Sequence, residues 1–327
     1  MSAIVSRAPV PAVPTASPSA QRLWPWATLP VLFIVLAASV PLLSDYGLEI
    51  AFRLLLLITL AEAWNLLAGY GGLVSLGTAS FFGLGAYTLT KLLSDPSDSI
   101  ILAMLAGGVV AALMALLVSR AVFRLRGLYF TVGTLALAEA LRLFMVNYRG
   151  LGGASGLFLA VDPPAQREMV WLALGLLAFA TLVVTLATAT RFSILLRAVR
   201  DDEDAANQIG IRPFRIKLIA FLLASTLTGM AGALQALKVG TVEPYGTFGI
   251  QWTVAVLSVV IIGGQGLRLG PAVGAVFLVA LSELLAEYPA LQLALTGAIL
   301  IGVIRLAPLG LVGLVQRLLA RKKGGTR

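Results

Sequence analysis

The chain contains no cysteine and no histidine. Those absences exclude disulfides, thiol chemistry and metal sites built on thiolate or imidazole. No GxxxxGK[ST] segment occurs, and the C-terminal RKKGG at 321–325 is not one, so the chain itself is not expected to bind or hydrolyse ATP. No nucleophile–base pair and no metal cluster presents itself, and an enzyme is not expected. Charge is scarce as well. Only 12% of residues are charged, against about 25% in soluble domains. What is plentiful is apolar, 59% of the chain, in runs long enough to cross a hydrocarbon core of roughly 30 Å.

These runs place spans near 27–43, 50–67, 73–93, 100–118, 128–148, 170–189, 216–237, 250–262, 271–288 and 290–306. The third is rich in glycine and the eighth is short, the marks of broken or re-entrant segments. The expected fold is therefore all-α, a polytopic membrane protein of about 10 (8–10) helices. Residues 1–26, rich in Ala, Pro and Ser, lack the apolar core of a leader and read as a disordered tail. Residues 27–306 read as the transmembrane domain, with a long loop at 190–216, and 307–327 as a basic C-terminal tail.

Basic residues sort by side. With the N-terminus inside, Arg120, Arg124, Arg126, the cluster Arg191–Lys217, Arg268 and Arg317–Arg327 all fall on the cytoplasmic side, whereas the outer loops carry only Lys91, Arg149, Arg167 and Lys238. Most acids fall outside. This is the positive-inside pattern, and it puts both termini in the cytoplasm. The net charge of +9 is thus topological, and no nucleic-acid partner is expected.

The most polar stretch is RAVRDDEDAANQIGIRPFRIK, 197–217, with four consecutive acids between basic clusters. It has the signals of a short helix over 201–209. Asp201 is the expected N-cap, Asp204 the third helical residue as in a capping box, Gly210 the left-handed C-cap, and Pro213 the stop. Asp202, Glu203 and Asp204 lie where the helix dipole favours negative charge. Ala205, Ala206 and Ile209 make a small apolar patch. Acids beside an anionic leaflet disfavour lipid docking, so a basic protein groove is the better-matched partner. The plain alternative is a solvated connector.

In the third span, GYGGLVSLGTASFFGLGAY at 69–87, glycine costs about 1 kcal/mol per residue in a helix relative to alanine. Close packing or a broken helix must compensate. Ser75, Gly77, Thr78, Ser80, Gly83 and Tyr87 are candidates for lining a translocation path. Charges inside spans cost roughly 2.5–3.5 kcal/mol at the centre, which singles out Arg53, Glu62, Glu139, Arg142 and Glu283. Glu139 and Arg142 are three apart, and a structural ion pair is the simplest reading. The segments GYGGLVSLG (69–77) and GGQGLRLGP (263–271) also resemble each other weakly, as transporter halves do.

DAANQIG at 204–210 resembles the acidic-Ala-Ala-three-residues-Gly motif of the cytoplasmic loops of ABC importer permeases. WNLLAGYGGLVSLGTASFFGLGAYT (64–88), RLRGLYFTVGTLALAE (124–139), GGASGL (152–157), KLIAFLLASTLTGMAGAL (217–234) and GGQGLRLGPAVGA (263–275) extend the likeness over roughly 50–310. The chain resembles branched-chain amino acid permeases of the LivM type. Thr78 departs from the pattern, since members often have His there. The resemblance implies a permease subunit of an ATP-driven importer in the bacterial inner membrane. It implies a LivH-like second permease, two ABC ATPase subunits that bind the ATP, and a periplasmic binding protein. It makes Asp201–Ala206, Ile209 and Gly210 the ATPase-coupling residues. An ion-coupled secondary transporter using Glu62 or Glu283, and a permease for urea or amides, are the alternatives.

Overall fold

A computed structural model describes residues 33, 36–95, 97–307 and 309–316. The expected tail 1–26, about half of the first expected span (27–32, 34 and 35) and residues 317–327 lie outside them. The chain divides into two units, residues 1–42 and 43–327. In the first, the described residues end in a 3-10 turn, Val40–Leu42.

The second unit is a helical bundle. Its elements are α1 (Asp45–Trp64), a π-helical turn (Asn65–Tyr70), α2 (Thr78–Leu92), α3 (Ile100–Val122), α4 (Leu128–Asn147), α5 (Gln166–Ala189), α6 (Arg191–Asp201), α7 (Glu203–Gln208), α8 (Pro213–Val239), α9 (Pro244–Thr247), α10 (Ile250–Gly263), α11 (Gly270–Leu284) and α12 (Pro289–Leu306). Two short strands, β1 (Leu157–Phe158) and β2 (Thr241–Val242), pair antiparallel with Leu157 opposite Val242. Local chemistry sets the boundaries. Ser44 and Ser99 cap α1 and α3 through their hydroxyls. Proline sits in the first turn of α8, α9, α11 and α12, where its missing N–H costs nothing.

Among the described residues, six helical stretches are long and apolar enough to cross a membrane: 45–70, 100–122, 128–147, 166–189, 213–239 and 244–263. A seventh would join 294–305 to 310–316 across a 44° bend. The expected ten is not reached, for three reasons. The first span is described only at residue 33 and over 36–43. The expected third, 73–93, is helical only from Thr78, and the ninth, α11, is only 15 residues long.

The core is the packing of α2, α3 and α8, and glycine sets their separation. A Cβ on Gly85 would lie 1.8 Å from the carbonyl oxygen of Gly229, and one on Gly229 would lie 2.8 Å from that of Gly107. Helix backbones therefore touch directly, the small-residue association seen where lipid gives no hydrophobic drive. Replacing Gly85 with Ala forces α2 and α8 apart. Gly85→Ala should destabilise the detergent-solubilised protein by about 1–3 kcal/mol, read as a lower unfolding temperature. Gly175→Ala on α5 meets no heavy atom within 4 Å and should leave it unchanged or slightly raised.

Candidate functional site: a broken span and a pinned cytoplasmic helix

The chain turns after the π-helical Asn65–Tyr70 and returns without regular structure until α2 begins at Thr78. Non-helical backbone at membrane depth must find partners inside the protein. Side chains supply most of them. Thr131 Oγ1 donates to Val74 O at 2.8 Å and Trp64 Nε1 to Ser75 O at 2.8 Å. Leu76 N donates to Thr134 Oγ1 at 3.0 Å, and Thr253 Oγ1 donates to Leu76 O at 3.3 Å. Gly77 N donates to Ser75 Oγ at 3.2 Å. Three neighbouring helices, α1, α4 and α10, thus hold the break open.

Beside it lies a cavity of about 20 Å³ lined by Trp64, Ser75, Thr78, Ser225 and Thr228 among others. That admits roughly one water and is far below the several hundred Å³ of a small-molecule site. The bundle is closed at this level. The hydroxyls of Ser80, Tyr87, Ser225 and Ser258 are buried with no hydrogen-bond partner among the described residues. Of the path candidates, Ser75 and Thr78 line this cavity. Ser80 and Tyr87 lie deeper in α2. Gly77 and Gly83 are packing positions: Cβ atoms there would lie 3.0 Å from Thr134 O and 2.6 Å from the Phe248 ring.

The charged candidates do not converge. Glu62 accepts from Thr181 Oγ1 at 2.9 Å on α5. Glu283 lies 3.6 Å from Arg53 and accepts from the Tyr46 hydroxyl. Glu139 and Arg142 form the expected pair on α4, with the Arg142 guanidinium 4.9 Å from the centroid of the Tyr245 ring. The two glycine-rich segments, by contrast, do meet. Gly266 N donates to Asn65 Oδ1 at 2.8 Å, Asn65 Nδ2 donates to Leu267 O at 3.1 Å, and Gln265 Nε2 donates to Ala68 O at 3.0 Å.

Close to that junction is the acidic loop, which corrects several expectations. It holds two helices rather than one, because α6 precedes the short helix. Asp201 ends α6 instead of capping the next helix. The N-cap is Asp202, whose Oδ1 accepts from Asp204 N and Ala205 N, both at 2.9 Å. The helix is Glu203–Gln208, and Asp204 is its second residue, one short of a capping-box position. Gly210, at φ +85°, ends it as expected. Ile211 N donates to Ala206 O and Gly210 N to Asn207 O, the paired bonds of a Schellman motif. The apolar patch is split: Ala206 is buried, while Ala205 and Ile209 face outward.

Each acid already has a use inside the chain. Glu203 pairs with Lys217 on α8, whose side chain is only 8% exposed. Asp204 takes a two-pronged bond from Arg126, both contacts 3.2 Å, and raises the affinity of that guanidinium for its proton. Asp201 accepts from Arg200 Nε at 3.2 Å.

The family model of the branched-chain amino acid transport system / permease component matches residues 46–304. The chain belongs to this permease family. It is 28% identical to the high-affinity branched-chain amino acid transport permease LivM of Escherichia coli K12, over 91% of this chain and 77% of that protein. The LivM protein of Salmonella typhimurium LT2 is 28% identical, over 89% and 76%. The L-arabinose ABC transporter permease AraH of Azospirillum brasilense is 27% identical, over 74% and 71%. No solved structure matches it. The chain is thus a multi-pass membrane permease component of a transport system, and the relatives are transporter subunits, not enzymes.

Several residues that hold this permease's break and junction were not among the sequence candidates: Trp64, Thr131, Thr134, Thr253, Asn65 and Gln265. Thr131 and Thr134 carry a legible signal, since a three-residue spacing puts two hydroxyls on one helical face. Removing the corrected N-cap should loosen the short helix alone. Asp202→Ala is expected to lower hydrogen-exchange protection of the Ala205 and Ala206 amides by about fivefold, corresponding to a cap loss of ~1 kcal/mol. Asp201→Ala should change it much less.

Proposed function

We propose that this permease is the membrane-spanning subunit of an ATP-driven importer for branched-chain or related amino acids. It sits in the bacterial plasma membrane with both termini cytoplasmic. The reading rests most on α7, which is held at the basic end of the bundle yet turns side chains outward. Ile209, 76% exposed, and Ala205 project with Asp204 from a helix stapled by Asp202, the Glu203–Lys217 pair and the Schellman turn. A rigid apolar knob rimmed by acid suits a groove with basic edges on a partner protein better than an anionic leaflet. Two ATPase subunits are the partners this surface serves. They would bind the ATP, and the permease holds no cofactor.

Differences between helices suggest where the second permease and the path lie. On α3 every exposed residue from Ile101 to Leu117 is apolar, a surface fit for lipid. On α4 the exposed ridge includes Glu139, mid-helix, with its side chain 52% exposed, and Asn147. A charge facing acyl chains at that depth costs roughly 2.5–3.5 kcal/mol. This face therefore suits a LivH-like partner and an aqueous route, with the Trp64–Ser75–Thr78–Ser225 constriction as its closed point. Asp45, Glu49, Gln166, Lys238 and the β1–β2 ribbon lie at the opposite end, where a periplasmic binding protein would deliver substrate. Glu49 there accepts from both Gln166 and Lys238.

Amino acids as cargo are supported by the names of the LivM relatives, with urea and short amides as further substrates of the same mechanism. An ion-coupled secondary transporter is the competing class. The engagement of Glu62 by Thr181 and of Glu283 by Arg53 and Tyr46 gives both carboxylates ordinary structural roles and weakens it.

The test is uptake of radiolabelled leucine into proteoliposomes holding the whole complex, with binding protein on one side and ATP on the other. Wild type should accumulate leucine only with ATP. Ile209→Asp should fold normally but lose copurifying ATPase and at least about tenfold of its uptake, a loss of ~1.4 kcal/mol of docking. Uptake without ATP that collapses with a proton or sodium ionophore would sink the reading. ATP hydrolysis without leucine movement would remove only the choice of cargo.

A further inference from the structure

One side chain links the acidic loop to the junction of the glycine-rich segments. Arg200, the penultimate residue of α6, lies two positions before the Asp202 cap. Its Nη1 donates to Gly69 O at 3.0 Å, while its Nε holds Asp201. Its aliphatic stem lies on Gly72, where a Cβ would come within 2.3 Å of Arg200 Cγ. Gly72 has φ +69°, so that approach needs glycine for conformation as well as for space. On its other side Gly69 abuts the second segment, and a Cβ there would lie 2.6 Å from Gly266 N. The π-helical turn that presents Gly69 O is of a kind found often at functional sites.

We propose that Arg200 is the positioning residue that carries displacement of the 203–208 helix to the crossing of residues 69–72 with 264–267. This deepens the coupling role proposed above and rests on it. The geometry suits transmission for three reasons. The planar guanidinium bonds to the bundle at Gly69 O, while its contact with the neighbouring Asp201 holds it at the end of α6, directly before the Asp202 cap of α7. The junction behind Gly69 is stiff, because Asn65 grips Gly266 and Leu267 with both ends of its amide. And Gly69 lies at the turn whose return limb, 71–77, leads to the constriction at Ser75 and Thr78. A shift of α7 that moves Arg200 must either break its bond to Gly69 O or drag the junction with it. Lys217 and Arg126 also tie the loop to the bundle, but they bond to α7 itself and reach α8 and the loop before α4, not the junction.

The experiment uses the whole complex and the absence of cysteine in this chain. Single cysteines for spin labels are placed at Asn207, on α7, and at Leu269, next to the junction. Each is paired with a reference cysteine at Ile101. Distances are measured with and without ATP, in wild type, Arg200→Ala and Arg200→Lys, together with leucine moved per ATP hydrolysed. In wild type ATP should shift both labels. In Arg200→Ala the Asn207 label should still shift while the Leu269 shift is lost, and leucine moved per ATP should fall at least about fivefold. Arg200→Lys, which can still donate to Gly69 O, should restore most of both. Gly72→Ala, which pushes the arginine stem away while keeping its charge, should reproduce the Arg200→Ala pattern and serves if that variant fails to assemble. A Leu269 shift of wild-type size in Arg200→Ala or Gly72→Ala overturns the proposal and leaves the importer reading standing. If the wild-type Asn207 label does not respond to ATP, the coupling reading fails and takes this proposal with it.

Discussion

The constraint on which the structure depends is that seven residues, 71–77, cross part of the bundle without regular helical structure. In hydrocarbon each unpaired backbone group costs several kcal/mol, so such a segment survives only where other side chains meet it. Here hydroxyls and one indole do so. Thr131 and Thr134 come from α4, Thr253 from α10 and Trp64 from α1. The placement of those helices follows from this need. Helices α4 and α10 must approach the break closely enough for a threonine hydroxyl to reach its backbone, while α1 reaches it with the longer Trp64 indole. Glycine makes the approach possible at Gly77, which lies against Thr134, and at Gly83, which takes the Phe248 ring.

The same chemistry explains why the break is a plausible place for motion. A helix exchanges its hydrogen bonds for nothing when it bends. A segment held by hydroxyls can rotate them to new acceptors at little cost, since each hydroxyl donates one bond and accepts two. Among the described residues, Ser80 and Ser225 near this region and Tyr87 further along α2 keep unpartnered hydroxyls, an unusual density of unspent polar capacity in an apolar core. Under the proposed amino-acid cargo, a zwitterion passing a narrow point would need such groups briefly and in succession, not as a deep site.

The all-α membrane class, the family and most helix positions were legible because long apolar runs and glycine, proline and serine punctuation are local signals. The third span was legible as irregular, since six glycines within 69–85 demand either close packing or a broken helix, and both occur. What was not legible is what depends on a partner distant in sequence. Nothing local to Asn65 points to Gly266, and nothing near Arg200 points to Gly69. The misplaced N-cap has a physical origin. Four successive acids all satisfy the preference for negative charge at a helix start, so the pattern cannot choose among them. The choice falls to Asp202 because Asp201 completes α6, an amphipathic helix hidden within a stretch read as loop. The division of labour among the acids was also invisible, because Lys217 and Arg126 lie fourteen and seventy-eight residues from their partners.

That division changes what acidity in the loop is for. Acids free to seek a basic groove would leave α7 loose, since a two-turn helix is marginal by itself. Instead Asp202 builds its start, and Glu203 fastens it to a lysine buried in α8. Removing one partner from a buried pair is far more costly than the pair is worth, so this attachment resists being pulled apart. Asp204 is held only by the exposed Arg126, and its contact is weak and exchangeable for a partner's arginine or lysine. Asp202, Glu203 and Asp204 therefore grade from structural to available. A helix fixed at its base and open at its tip can pass a push inward without first unfolding, which is the mechanical property that the proposed coupling to an ATPase subunit requires.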